Sequence, residues 1–237
     1  MTKRTTLVFV GPTLPAAEVR ALLPGAEVRP PAAVGDALAA IADRPRTIAL
    51  IDGYFERMAA VWHKELLLAL ERGIAVYGAA SMGALRAAEL APFGMIGAGA
   101  IYKAYARGTL TADDEVAVAH LPAAQGYRPV SDALVNLRHG LALARRRGVI
   151  TARTHDRLIE VARGWFYRER TWARLVAEAP VARREMRHLE TWLATTPPPD
   201  LKAEDARILL RLLSFSPPRR RVSLRVPRTW ALRQLVG

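Results

Sequence analysis

The chain reads as an α/β protein, with a parallel sheet in its N-terminal half and a helical C-terminal region. Three features predict this. Short apolar or β-branched runs at 5–10, 47–51 and 74–77 alternate with stretches of helical spacing. The run Thr47-Ile-Ala-Leu-Ile51 is apolar throughout, as a strand covered on both faces should be. From Tyr127 onward the apolar positions recur at helical spacing.

In chain order, the first strand stops at Gly11-Pro12-Thr13-Leu14-Pro15, a turn-rich loop. Pro15 suits the first turn of a helix, which runs over 16–23 until Pro24-Gly25 ends it. A weaker strand is read at 26–29, and a short helix at 36–41 follows the Pro30-Pro31 break. Strand 47–51, one more helix and strand 74–77 complete the series. Such alternation with short connections makes a parallel, doubly wound sheet of the flavodoxin or Rossmann kind. Ligands bind beyond the carboxyl ends of strands in sheets of this type. Three of those ends carry suggestive residues: Gly11-Pro12-Thr13, Asp52-Gly53 and Ser81.

Between Asp52 and Gly73, the residues Phe55, Met58, Trp62, Leu66, Ala69 and Leu70 share one apolar stripe. A helix starting near Phe55 leaves His63 more than two turns from the rim. A loop over 54–60 instead brings His63, Lys64 and Glu65 into the first turns near Asp52, with Glu65 well placed against the helix dipole. The run 91–99 is read as a glycine-rich loop; it lacks the Lys-Ser/Thr of a P-loop, so its glycines imply close backbone approach. After a helix at 100–107 comes Thr111-Ala-Asp113-Asp114-Glu115-Val-Ala-Val-Ala-His120. Thr111 or Asp113 can cap a helix there, with Asp114 and Glu115 in its first turn. Adjacent carboxylates also suit a hard metal or acid/base work, although these and His120 do not share one helical face.

Helices are expected at 130–147, 151–163, 169–179, 180–193 and 202–213, with breaks at Gly148 and Pro197-Pro198-Pro199. Trp165, Phe166, Trp172 and Trp192 are read as core anchors between them. The expected organisation is an α/β core domain at 1–125, a helical region at 126–215 and a basic, proline-containing tail at 216–237. Residues 1–126 hold 12 Lys+Arg and 12 Asp+Glu, so the formal charge of +13 falls entirely on residues 127–237. That asymmetry suits an acidic partner for the second half.

With no cysteine, the chain can form no disulfide, thiolate metal site or persulfide of its own. The apolar run 7–10 ends at Gly11-Pro12, too short for a signal segment, and no stretch has the length of a membrane span. A cytoplasmic location is expected.

Candidate chemistry centres on the stretch from Ile74 to Leu90, where Ser81 sits between the apolar run and an Ala/Leu-rich helix. Ala79 and Gly83 flank it at two residues on either side, as a tight strand-to-helix turn requires. The Met82 and Gly83 amides open a helix N-terminus suited to an anion or an oxyanion. On spacing alone Ser81 reads as an N-cap, with a catalytic role as the alternative that its surroundings must decide.

Six motifs in order then carry a family resemblance. They are Val8-Phe-Val-Gly-Pro12, Ile51-Asp-Gly-Tyr-Phe55, His63-Lys-Glu-Leu66, Gly78-Ala-Ala-Ser-Met-Gly-Ala-Leu-Arg-Ala-Ala-Glu-Leu90, Phe93-Gly-Met95 and Asp113-Asp-Glu-Val-Ala117. Together they resemble the core of TfuA-like proteins, over about residues 7–120. The resemblance implies a partner of the YcaO type, which activates peptide backbone amides with ATP. It also implies a role in peptide thioamidation during ribosomal peptide biosynthesis, with sulfur drawn from a thiocarboxylated, ThiS-type carrier.

Under that implication the chain attacks the carrier's thiocarboxylate and releases hydrosulfide. Attack needs a nucleophile or activated water, a base and oxyanion donors. Ser81 with the Met82 and Gly83 amides supplies the first and third. His63 or His120 is the candidate base, oriented by Asp52 or Asp114. Arg86 either receives the carrier's terminus or pairs with Glu89. Lys64, Glu65, Asp113 and Asp114 complete the candidate substrate-binding set. No cofactor or metal is called for, although Asp113, Asp114 and His120 leave a metal-dependent variant open. Two rivals remain: a non-catalytic adaptor joining YcaO and carrier, and a nucleic-acid-binding helical half, for which no reading motif is present.

Overall fold

The computed structural model describes residues 5–55, 58–215, 224–227 and 229–230. Its sheet has five strands: β1 (Thr6–Phe9), β2 (Glu27–Arg29), β3 (Thr47–Leu50), β4 (Ala75–Ala79) and β5 (Ile96–Ala98). They lie in the order β2-β1-β3-β4-β5, and every neighbouring pair is parallel. This is the parallel sheet that the alternation predicts, in the flavodoxin-like order, with its strand reversal between β1 and β3. All four residues of β3 are buried, as its uninterrupted apolar run requires.

The fifth strand corrects the reading of 91–99 as a loop. Three residues with Gly97 at the centre carry no strand signal, and β5 exists through its pairing with β4. Close approach is nonetheless what Gly97 supplies. A Cβ there would run into the ring of Tyr102, on the helix α5 (Gly99–Ala106) that folds back over the strand.

The chain divides into two compact units, one of residues 1–111 and 203–237, the other of residues 112–202. The first unit has α1 (Ala16–Leu22), α2 (Asp36–Ala42), α3 (His63–Glu71) and α4 (Met82–Leu90) in addition to α5. Its sheet has two apolar layers. One joins Leu7, Phe9, Ile48, Leu50 and Val76 to α2, α3 and α4. The other joins Val8, Val10, Ala49, Ile51, Tyr77 and Ala79 to Ala206, Leu209 and Leu210, from the helix spanning Leu201–Ser214. Asp205 on that last helix accepts the Ala100 and Ile101 amides at 2.8 and 2.7 Å, capping α5. Of the expected tail, residues 216–223, 228 and 231–237 lie outside the described residues. Val226 is buried in the first layer, and its N–H donates to Glu71.

The helix carrying His63 starts at His63 itself, as the loop alternative expects, and the described residues 54–55 and 58–60 are not helical. Glu65 then does structural work. Fully buried, its carboxylate accepts the N–H groups of Trp62 and Gly35 at 3.0 Å each, and of Leu38 at 3.4 Å. One side chain thus satisfies donors at the starts of both α2 and α3. Burial pushes the Glu65 and Asp205 carboxyls above the ordinary range, against the pull of those N–H groups. Their contribution to stability therefore falls as pH rises through the raised range. Glu65→Gln turns an NH₂ toward N–H donors and is expected to cost about 1–3 kcal/mol. Urea unfolding of the two proteins measures it, and the variant should lack Glu65's share of the pH slope.

The second unit contains the helices α6 (Leu134–Arg146), α7 (Ala152–Gly164), α8 (Trp172–Glu178) and α9 (Arg183–Thr195); the Leu201–Ser214 helix is α10. Leu134, Leu137, Leu141, Leu158, Leu175 and Leu189 form its core, with Trp165, Trp172 and Trp192 partly buried against it. Phe166 differs from the expectation: half of it is exposed. The segment after Thr111 also differs, forming only a single 3-10 turn at Asp113–Glu115. Two carbonyls that a longer helix would use are taken, Asp114 O by Arg170 and Val116 O by Lys202. Among the described residues no helix is long and apolar enough to cross a membrane.

Candidate functional site

The carboxyl ends of β1, β3 and β4 hold the candidate residues, and each is fixed differently. Asp52, just beyond β3, is 1 % exposed. Its Oδ2 accepts the Gly11 and Thr13 amides at 2.9 and 3.0 Å, and its Oδ1 accepts the Thr13 hydroxyl at 2.6 Å. The residue placed by sequence as an orienter of histidine instead ties down the β1–α1 loop at the strand reversal. Those amides are thereby closed to a phosphate or other anion.

Ser81 sits on the tight strand-to-helix turn that its small neighbours imply. The Ser81 N–H donates to the Ala79 carbonyl at 2.9 Å, closing a three-residue turn around Ala80. Ala80 has φ +67°, an uncommon conformation for a residue with a Cβ, and the turn is of the strained γ kind. Glycines make the turn possible below it. A Cβ on Gly78 would meet the Gly83 carbonyl, and one on Gly83 would meet the Leu50 carbonyl.

Ser81 occupies the N-cap position of α4, yet its side chain makes no capping hydrogen bond. It is 3 % exposed, and among the described residues no enclosed side-chain polar atom lacks a partner. The Ser81 hydroxyl is thus nearly buried at the rim and is not spent on capping α4. Of the two amides expected to serve an oxyanion, Gly83 is committed to the Ile51 carbonyl at 3.2 Å. Met82 N–H, at the first helical position, has no intrahelical acceptor. The Met82 side chain is a core residue, 2 % exposed.

His63 and Arg86 are brought together, with a residue the sequence reading had named only as Arg86's pair. His63 Nε2 lies 2.7 Å from Glu89 Oε2, and Arg86 Nη1 donates to the same oxygen at 2.8 Å. Arg86 Nε also donates to the Val61 carbonyl at 3.2 Å. Lys64 Nζ donates to the Thr229 hydroxyl at 2.9 Å, and Glu65 is the buried cap already described. Both side chains are thus engaged within the first unit.

The remaining candidates belong to the second unit. Asp114 accepts Arg170 Nη2 at 2.5 Å, and Glu115 takes both arms of Arg138 at 2.8 and 3.0 Å. Asp113 is exposed. The His120 Nδ1 lies 2.9 Å from the Leu121 carbonyl, with its ring edge-on to Tyr127. Among the described residues no group of three or more His, Cys, Asp or Glu is placed to hold a metal. Sequence reasoning missed Arg170 and Arg138, and named Thr13 without its partner, since each pairs with a carboxylate 23 to 56 residues away.

A family model described as TfuA-like protein matches residues 52–171, half of the chain. The chain belongs to the TfuA-like family. The matched TfuA-like segment runs from Asp52 through the Ser81 turn and the His63–Glu89–Arg86 cluster, and on to the Arg170–Asp114 pair. No curated protein matches the chain.

Proposed function

We propose that this chain is an accessory hydrolase of YcaO-dependent peptide backbone thioamidation in ribosomal peptide biosynthesis. Its substrate is the C-terminal thiocarboxylate of a ThiS-type, ubiquitin-fold sulfur carrier, and its product is sulfide for the amide that YcaO activates. Family membership supports the pathway. The observation that carries the site is the Ser81 hydroxyl, left uncommitted to helix capping on a strained turn at the carboxyl end of β4.

Beside that hydroxyl, the Met82 N–H is a second donor at the N-terminus of α4. Two donors so placed suit a carbonyl or carboxylate oxygen of the carrier's tail. Without cysteine, the chain acts on sulfur that the carrier holds. The test mixes purified protein with thiocarboxylated carrier, without YcaO, and follows sulfide. Wild type releases it, and Ser81→Ala loses about tenfold or more in kcat/KM. An unchanged Ser81→Ala would remove Ser81 from the site.

One observation favours the adaptor reading. Among the described residues no acid or base is hydrogen-bonded to Ser81. An adaptor that only raises the carrier's effective concentration yields sulfide solely when YcaO is present.

A further inference from the structure

Hydrolysis of a thiocarboxylate makes a demand that Ser81 does not meet. The group R–C(O)S⁻ is already anionic, so sulfur leaving without a proton would leave as S²⁻, a far stronger base than hydrosulfide. Some group must take a proton from the attacking water and hand one to the departing sulfur. We infer that His63 is that group and that Glu89 is the carboxylate positioning it. The inference rests on the sulfur-releasing reaction above, but not on Ser81 as its nucleophile.

The cluster is built for such a task. It joins two separate motifs, His63-Lys-Glu-Leu66 at the start of α3 and the Gly78–Leu90 stretch that becomes α4. The His63 side chain is 46 % exposed, so the imidazole is open to a substrate. Its Nε2 faces Glu89 at 2.7 Å, which leaves Nδ1 as the edge that takes a proton. Glu89 does not swing freely, because Arg86 grips the same oxygen and is itself tethered to Val61. Arg86 Nη1 lies 3.3 Å from the imidazole, which places a cation at the site as well. The neighbouring charges point elsewhere, Lys64 to Thr229 and Glu65 into the α2–α3 junction.

In the step itself, water oxygen forms a bond to the acyl carbon as one of its protons passes to His63. The C–S bond then breaks with its electron pair on sulfur, and His63 gives sulfur the proton. The products are the carrier's carboxyl group, which ionises to solvent, and hydrosulfide. Nothing is oxidised or reduced.

Glu89 lies eight residues beyond Ser81 on α4, roughly 12 Å of helix rise. Side chains lean toward a helix N-terminus, which shortens that gap. About three residues of extended chain cover the remainder. Ser81 and Met82 thus hold the carrier's tail upstream while His63 meets its acyl carbon.

Steady-state sulfide release separates these roles. His63→Asn lowers kcat about 100-fold or more, and Glu89→Ala lowers it about tenfold with an unchanged unfolding midpoint. The double variant is no slower than His63→Asn alone, because Glu89 acts through His63. Added imidazole restores part of the rate to His63→Gly, and Ser81→Ala acts mainly on KM. Independent, multiplicative losses at His63 and Glu89 would overturn the dyad, as would an undiminished kcat in His63→Asn. A wild type that releases no sulfide defeats the functional reading instead. Labelling of His63 by diethyl pyrocarbonate, located by mass spectrometry, then still decides the dyad: Glu89→Ala slows it several-fold, and equal rates overturn the positioning.

Discussion

Gly83→Ala is expected to lose about 3 kcal/mol or more of unfolding free energy, read from urea or thermal denaturation of the full chain. The reason is where the new methyl would go. A Cβ on Gly83 points into the Leu50 carbonyl, the carbonyl carbon behind it and the Ile51 amide. These are backbone atoms of a strand buried on both faces, paired with β1 and β4, and they cannot turn aside as a side chain can. The clash also falls beside the bond from Gly83 N–H to the Ile51 carbonyl, which seats the first turn of α4 on β3. Movement of α4 away from β3 would relieve the methyl at the cost of that bond. It would also lift the Ser81 turn off the rim, so sulfide release should fall along with stability. A variant within 1 kcal/mol of wild type would show that α4 slides without penalty, and the turn would then be no rigid platform.

The same glycine shows how far the sequence can be read. Small residues around Ser81 announce a tight strand-to-helix turn, and Gly78 and Gly83 do meet across it. What the sequence does not announce is that Ala80 takes the positive φ. Alanine has no propensity for that conformation, so the strain is imposed by the strand and helix on either side. Strands β1, β3 and β4 are legible because each is a dense apolar run. Strand β5 is not, because three residues around Gly97 owe their conformation to β4 alone.

Among the candidate residues, types were easier to read than partners. Asp52 was singled out for its place at a strand end, and it is held there by Thr13 and Gly11. Its carboxylate is consumed by the loop, which no local pattern encodes. His63 was found beside a stretch whose conformation had two readings. The loop alternative placed it correctly at the start of α3, but Glu89 lies 26 residues away and across a strand. Periodicity reports which face of a helix is apolar and says nothing of which neighbour covers the polar face. Helix α10 makes the same point. Its spacing is plain in the sequence, yet only the fold shows Ala206, Leu209 and Leu210 lying against the sheet.

Arg170→Ala carries the other large expected effect, about 3–5 kcal/mol of destabilisation in the second unit. Arg170 is 1 % exposed, among the largest fully buried side chains described. Its three nitrogens each donate, to the Ala162 carbonyl at 2.9 Å, the Asp114 carbonyl at 2.9 Å and Asp114 Oδ2 at 2.5 Å. Truncation strands two carbonyls and leaves a cavity the length of the side chain. The Asp114 carboxylate, 44 % exposed, can turn to water, which keeps the loss from being larger. Arg170→Lys recovers little, since one ammonium cannot reach three acceptors spread across a planar fork. The comparison with Asp114→Ala separates a structural from a catalytic role for the Asp113–Glu115 motif. A structural motif predicts that Asp114→Ala lowers the unfolding midpoint and that its effect overlaps with Arg170→Ala in the double variant. Once folded, such a chain keeps its kcat for sulfide release. A stable Asp114→Ala with a collapsed kcat would reverse the assignment and return the acidic motif to the chemistry.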